Sequence, residues 1–156
     1  MATLFADSAT DAATFSERKP AEGTELNDET LIQRAVQWVA GVPIALPAHL
    51  LAQYPELSGA SWRRGGVAVL VGGWCLGRAS VSGITLWRTV WVAPGVVLAP
   101  ELLLHELRHV HQFDSDALFP LRYVWCSLRH GYIDNPYEVD ARTFARQRLA
   151  DHPPTE

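Results

Sequence analysis

An α+β fold is predicted by three observations: a helix-period apolar repeat near the start of the chain, a Gly-rich and β-branched middle, and helical spacing with clear end signals from residue 101 onward. At the first of these, Asn27 or Asp28 can cap a helix through its side-chain oxygen. Leu31, Ala35, Val36 and Val39 then recur on one face until Gly41 stops the run. Pro43 and Pro47 punctuate, and Pro47 can open a short helix through Tyr54. In the middle, Val67–Val71 and Ile84–Val92 read as strands flanking a Trp74–Ser82 segment without a defined pattern. Along the second strand Ile84, Leu86, Arg88, Val90 and Val92 alternate with Thr85, Trp87, Thr89 and Trp91, which suggests a strand near a sheet edge, ended by Pro94-Gly95. Three helices follow: Glu101–Phe113, then 120–130 with Pro120 at its first position and Gly131 past its end, then 136–149. In the second of them Leu121, Val124, Trp125 and Leu128 form an i, i+3, i+4, i+7 stripe.

The chain has 156 residues, 48% apolar and 19% charged, which fits one compact domain. A chain of that length buries roughly 70% of its unfolded surface, so it needs no disulfide or metal staple and any bound metal is free to be catalytic. Cys75 and Cys126 are too few for a disulfide framework and read as core thiols. The net charge of −4 is uneven, since residues 1–30 sum to −5 and the remainder to +1. A near-neutral body has no basic stripe to displace counterions, which argues against nucleic acid as a partner. The longest apolar runs, such as Val67–Gly73, fall far short of the roughly 20 residues that span a bilayer. Met1–Ala13 lacks the basic and apolar regions of a signal peptide, so a cytoplasmic location is the expectation. Residues 1–26 mix small residues and acids without periodicity and read as a flexible acidic tail ahead of a single domain over 27–152.

Residues 105–109 read His-Glu-Leu-Arg-His. Residues four apart on a helix project one above the other, so His105 and His109 can aim imidazole nitrogens at one point. Glu106 is rotated by about 100° from His105, placing it beside a metal held there as a base toward water rather than as a ligand. Such a pattern arises by chance in roughly 1% of shuffled chains of this composition, so its context decides. Here Leu103, Leu107 and Val110 form the apolar back of the same helix while the two His occupy another stripe.

The segment from Leu102 to Gln112 resembles the active-site helix of the zincin metallopeptidases. The later Asn135-Pro136-Tyr137-Glu138-Val139-Asp140-Ala141 resembles the glutamate-bearing helix of their gluzincin branch, in its very small members. The resemblance covers roughly a quarter to a third of the chain. It implies a small sheet whose edge strand, Ile84–Val92, packs on the His-Glu-x-x-His helix and receives an extended peptide. It further implies zinc held by His105, His109 and Glu138, with further helices following.

Catalytic zinc keeps three protein ligands and one open position. Glu138 lies 29 residues after His109, room enough for a helix to return and present a carboxylate. Locally it also fits a helix start, with Asn135 as cap, Pro136 at the first position and a Glu138–Arg142 pair. Two rivals for third ligand are His130, which is spaced unlike the metzincin histidine, and Asp134, which precedes the helix cap. Larger gluzincins often carry an aspartate four residues past the ligand glutamate to orient a ligand His; here that position is Arg142. Asp114, Asp116 and Asp140 are the candidates for that carboxylate, and Tyr132, Tyr137 and His130 for a donor to a developing oxyanion.

The expected function is zinc-dependent peptide hydrolysis, as an endopeptidase on a peptide or protein substrate, with Glu106 as general base. A zinc-binding interaction domain without hydrolysis is the alternative, although a structural site needs no base and fills all four positions with protein groups. A Trp-rich interaction module in which the motif is accidental predicts no bound metal. Arg108 and His111 read as lying off the ligand face, and His49 and His152 as ordinary surface residues.

Overall fold

The computed structural model describes residues 23–69 and 81–152, with side chains from residue 30 onward. The chain is α+β. Helix α1 spans Gly23–Ala40 and α2 Ala48–Gln53; a 3-10 turn covers Pro55–Gly59, and α3 (Pro100–Ser115), α4 (Phe119–His130) and α5 (Pro136–Asp151) complete the helical part. Strands β1 (Val42–Pro43), β2 (Ser61–Arg64), β3 (Gly83–Leu86) and β4 (Thr89–Val92) form one mixed sheet in the order β1-β2-β4-β3. The β2–β4 pairing is parallel and the other two are antiparallel.

Helix α1 begins four residues ahead of the expected cap at Asn27, because Thr24-Glu25-Leu26 offers no barrier to extending the helix backwards. Residues 23–26 therefore belong to α1 and not to a tail; residues 1–22 lie outside the described part. Gly41 ends the helix at φ +71, where a Cβ would meet the Gly65 carbonyl oxygen at 2.8 Å. Only glycine allows both that conformation and that approach. Contrary to an apolar face turned to the core, Leu31, Val36 and Val39 are exposed. The helix is tied down at its C-terminal end, where the Ala40 carbonyl accepts from Arg63 and from Trp91 Nε1.

Two strand assignments change. Residues 67–69 are helical where a strand over Val67–Val71 was expected; beyond residue 69 that run, with Cys75, lies outside the described residues. Ile84–Val92 is a hairpin and not one strand: Trp87 adopts φ +52, the chain reverses at Trp87-Arg88, and Leu86 pairs with Thr89. The reversal breaks the alternation. Ile84 lies opposite Trp91 and Thr85 opposite Val90, so Ile84 and Leu86 do not share a face with the buried Val90 and Val92. The edge position is retained by β3 alone.

The core gathers Leu50, Tyr54 and Leu57, Trp62 from β2, Val90 and Val92 from β4, the α3 residues Leu103, Leu104, Leu107 and Val110, and Ala145 of α5. Trp62 Nε1 donates to the Leu57 carbonyl at 2.9 Å, which satisfies the indole inside this cluster. The apolar back of α3 is thereby committed to the sheet. Its other face meets α5 and the cleft.

Candidate metal centre

Pro100 opens α3 and Pro136 opens α5, each in the first helical turn, where a missing N–H costs nothing. Asn135 caps α5 by accepting from the Tyr137 amide at 3.0 Å, and its own amide donates to the Tyr123 carbonyl and Ser127 Oγ of α4. This one buried side chain fixes where α5 starts relative to α4. Glu138, one turn inside, does not reach back to the cap; it turns into the interior and is 1% exposed.

There it meets both histidines. His105 Nε2 and His109 Nε2 are 3.2 Å apart, His105 Nε2 is 3.3 Å from Glu138 Oε2, and His109 Nε2 is 3.2 Å from Glu138 Oε1. A tetrahedral metal with arms of about 2.0–2.1 Å sets its donors about 3.3 Å apart. The separations are close to that length, the two imidazoles meeting different oxygens of the one carboxylate. Glu138 Oε2 is buried without a hydrogen-bond partner, a costly state for a carboxylate oxygen that a cation between the three groups would relieve. His105, His109 and Glu138 could therefore hold a metal ion.

Burial pushes the Glu138 carboxyl up, but the two imidazoles and the Tyr123 hydroxyl outweigh it and hold the group well below the usual carboxylate range. Burial pushes His109 down, yet hydrogen bonding to Glu138 and the charges of Glu106 and Glu138 leave it above its ordinary value. Tyr123 donates to Glu138 Oε1 at 2.7 Å, and burial together with that carboxylate drives its pKa far upward, so it stays a donor.

Glu106 is 5% exposed and lines the same cleft, a cavity of about 660 Å³ bounded by β3, α3, α4 and α5. Thr85 Oγ1 donates to Glu106 Oε2 at 2.7 Å. A Cβ at Gly83 would lie 2.7 Å from Glu106 Oε1, so glycine on the edge strand makes the room this carboxylate occupies.

Behind His109, its Nδ1 meets Gln112 Oε1 at 2.8 Å; the Gln112 amide nitrogen donates to Asp140 Oδ2 at 2.8 Å and to the Tyr137 carbonyl at 3.1 Å. Arg108 in turn grips Asp140 through two nitrogens at 2.7 and 3.2 Å. Of the three carboxylates considered for orienting a ligand histidine, Asp140 reaches one, through Gln112. Asp114 pairs with Arg88, and Asp116 with Arg122 and the Leu118 amide. Arg108 lies off the ligand face, as read from the sequence, and belongs to this chain of contacts.

Among the rival ligands, Asp134 and His130 are exposed and lie outside the cluster. Of the three oxyanion candidates Tyr132 lines the cleft, whereas Tyr137 packs on Phe119 with ring centroids 5.1 Å apart, and His130 is on the surface. Arg142 comes within 3.9 Å of Glu138 Oε2, as the i, i+4 spacing suggests, and also bonds the Ile133 carbonyl. Cys126 is half-buried on α4 and not a core thiol.

Sequence reasoning missed Tyr123 and Gln112. Tyr123 repeats four residues after Phe119 on the inward side of α4, a signal hidden by the stronger apolar stripe on the opposite side. Gln112 sits three residues after His109, where a helix brings it under the His109 ring.

No family model matches the chain, and no curated protein or solved structure matches it significantly.

Proposed function

We propose that this chain is a zinc-dependent peptidase of zincin-like, gluzincin type, with His105, His109 and Glu138 as ligands and Glu106 as general base. The observation that supports the reading is two imidazole nitrogens 3.2 Å apart, each 3.2–3.3 Å from one of the two oxygens of Glu138, with a further buried carboxylate, Glu106, in the same cleft. A structural site would have no use for that second acid. Two imidazoles and one carboxylate suit zinc, which when bound supplies Lewis acidity, lowering the pKa of a coordinated water to about 7 and polarising the scissile carbonyl.

The chain's own residues supply the rest. Thr85 occupies Glu106 Oε2, which leaves Oε1 to accept the proton of the attacking water and pass it to the leaving amine. Terminal strand β3 lies along the cleft through Ile84, Thr85 and Leu86, so an extended peptide can add to it as a further strand, beside Glu106. Tyr132 also lines the cleft, and its hydroxyl would serve as donor to a developing oxyanion.

Glu106→Gln tests the assignment. The variant, like the unsubstituted protein, is expected to bind one zinc per chain, and to lose hydrolysis of a fluorogenic peptide library by about a hundredfold or more. Metal analysis and progress curves read the two properties separately. Equal turnover in the variant removes Glu106 from the role, and absence of metal from both proteins removes the reading.

A further inference from the structure

Arg142 lies one turn beyond Glu138 on α5 and lines the cleft with it, its side chain 31% exposed. One nitrogen is tethered: Nη2 donates to the Ile133 carbonyl ahead of the helix. Nη1 stands 3.9 Å from Glu138 Oε2, within ion-pair range but too far for a hydrogen bond, so it has no acceptor among the described residues. The cleft's other carboxylates do not answer it. Glu106 is held by Thr85, and Glu101 is exposed in the first turn of α3 and makes no ion pair with Arg142 among the described residues. Glu138 faces both imidazoles, and a divalent ion held there would take up its charge. Counted with such an ion and two neutral imidazoles, Glu138, Glu106 and Arg142 leave the inner cleft with a surplus of positive charge. An anion on the substrate would balance it.

We propose that Arg142 selects the substrate by binding a peptide carboxylate beside the bond to be cut. The inference rests on the peptidase reading and adds the class of peptide, one that ends or carries an acidic side chain next to the scissile bond. Arginine suits the task because its planar, rigid set of donors matches a carboxylate's two oxygens. The reach is short enough. Successive Cα atoms are about 3.8 Å apart, and Nη1 lies 3.9 Å from an oxygen of a candidate ligand, so a carboxylate on a residue adjoining the scissile bond meets the guanidinium. A purely structural role fits worse. Tethering Ile133 needs only a neutral donor, whereas a fixed cation beside a metal centre is repelled by the ion unless an anion joins them.

The test compares one set of fluorescently labelled peptides in three forms: free acids, C-terminal amides, and amides with one glutamate introduced. Fluorescence anisotropy reads their binding to zinc-loaded Glu106→Gln, and progress curves their hydrolysis by the unsubstituted protein. A carboxylate is expected to raise affinity and kcat/KM by about tenfold or more, with the gain weakened by salt. Preference for free acids assigns the group to the end of the peptide, and preference for glutamate to a side chain. Introduced into both proteins, Arg142→Gln should bring the ratio of carboxylate-bearing to neutral peptides close to one, and Arg142→Lys should keep part of it. A role confined to holding Ile133 or Glu138 would lower all forms alike and leave the ratio unchanged. Zinc content, read for each variant, sets the comparison at equal loading. Carboxylate-bearing and neutral peptides bound alike or not at all, or a preference that survives Arg142→Gln, overturns the proposal. Carboxylate preference in binding without any hydrolysis by the unsubstituted protein would instead overturn the peptidase reading alone.

Discussion

Gln112 decides which nitrogen of His109 is free. Both partners of its amide nitrogen, the Asp140 carboxylate and the Tyr137 carbonyl, accept only, so the amide can point one way. Its oxygen is left to face His109 Nδ1, which then carries a proton, so that Nε2, which points to Glu138 and His105, is the nitrogen whose lone pair a metal would take in the neutral ring. Gln112→Leu keeps much of the volume but strands a buried N–H and releases the ring. It is expected to lower zinc affinity by about 10- to 100-fold with the fold intact, measured by competition with a chromogenic chelator; an unchanged affinity would leave Gln112 a packing residue. At this scale the candidate ligands were legible because helical spacing alone brings His105 and His109 together. Glu138 needed a resemblance to separate it from an ordinary helix start. The Arg108–Asp140–Gln112 contacts were not legible, because they cross between α3 and α5 and no local spacing encodes an interhelical bond.

The β3–β4 hairpin shows how one turn redirects an element. Trp87 at φ +52 is a residue type that rarely takes a left-handed conformation, so the two-residue turn carries none of the Asn-Gly signals that mark a hairpin in sequence. Alternation read across the turn as one strand, yet the folded hairpin is what leaves β3 alone at the sheet edge with Gly83 and Thr85 against Glu106. Likewise the periodicity of α1 and α4 located both helices, but α4 turns its apolar stripe outward because its other side bonds Asn135 and Glu138, and the side chains of residues 30–39 in α1 are all exposed. Gly83→Ala places a methyl group where Glu106 Oε1 now lies and forces the carboxylate to move. Peptide hydrolysis is expected to fall by about tenfold or more while zinc content stays at one per chain, because neither ligand helix is touched. Parallel loss of zinc would show that Gly83 supports α3 as a whole.

The molecule closes by clamping α5 at both ends. Asn135 and Glu138 fix its start at the metal centre. Near its end Arg148 bonds Glu56 of the 3-10 turn at 2.6 and 2.8 Å, and the His152 carbonyl accepts from Gln53 and the Tyr54 hydroxyl. The Arg148–Glu56 pair spans 92 residues of sequence, which is why the α+β order could be read along the chain while this closure could not. Burial pushes the Glu56 carboxyl up, but its own backbone amide and Arg148 outweigh that and leave it below its ordinary value. A carboxyl with a folded pKa under its unfolded one stabilises above about pH 4.3 and loses that contribution as pH falls through the folded value. Glu56→Gln should therefore cost about 1 kcal/mol at pH 7, a modest figure because the pair is partly solvated. The difference from the unsubstituted protein should shrink progressively below about pH 4. Urea unfolding across that range measures it, and zinc affinity at pH 7 should be unchanged because the pair sits at the far end of α5 from Glu138. A destabilisation that persisted undiminished at pH 2 would mean that packing around Glu56, and not its charge, holds the end of α5.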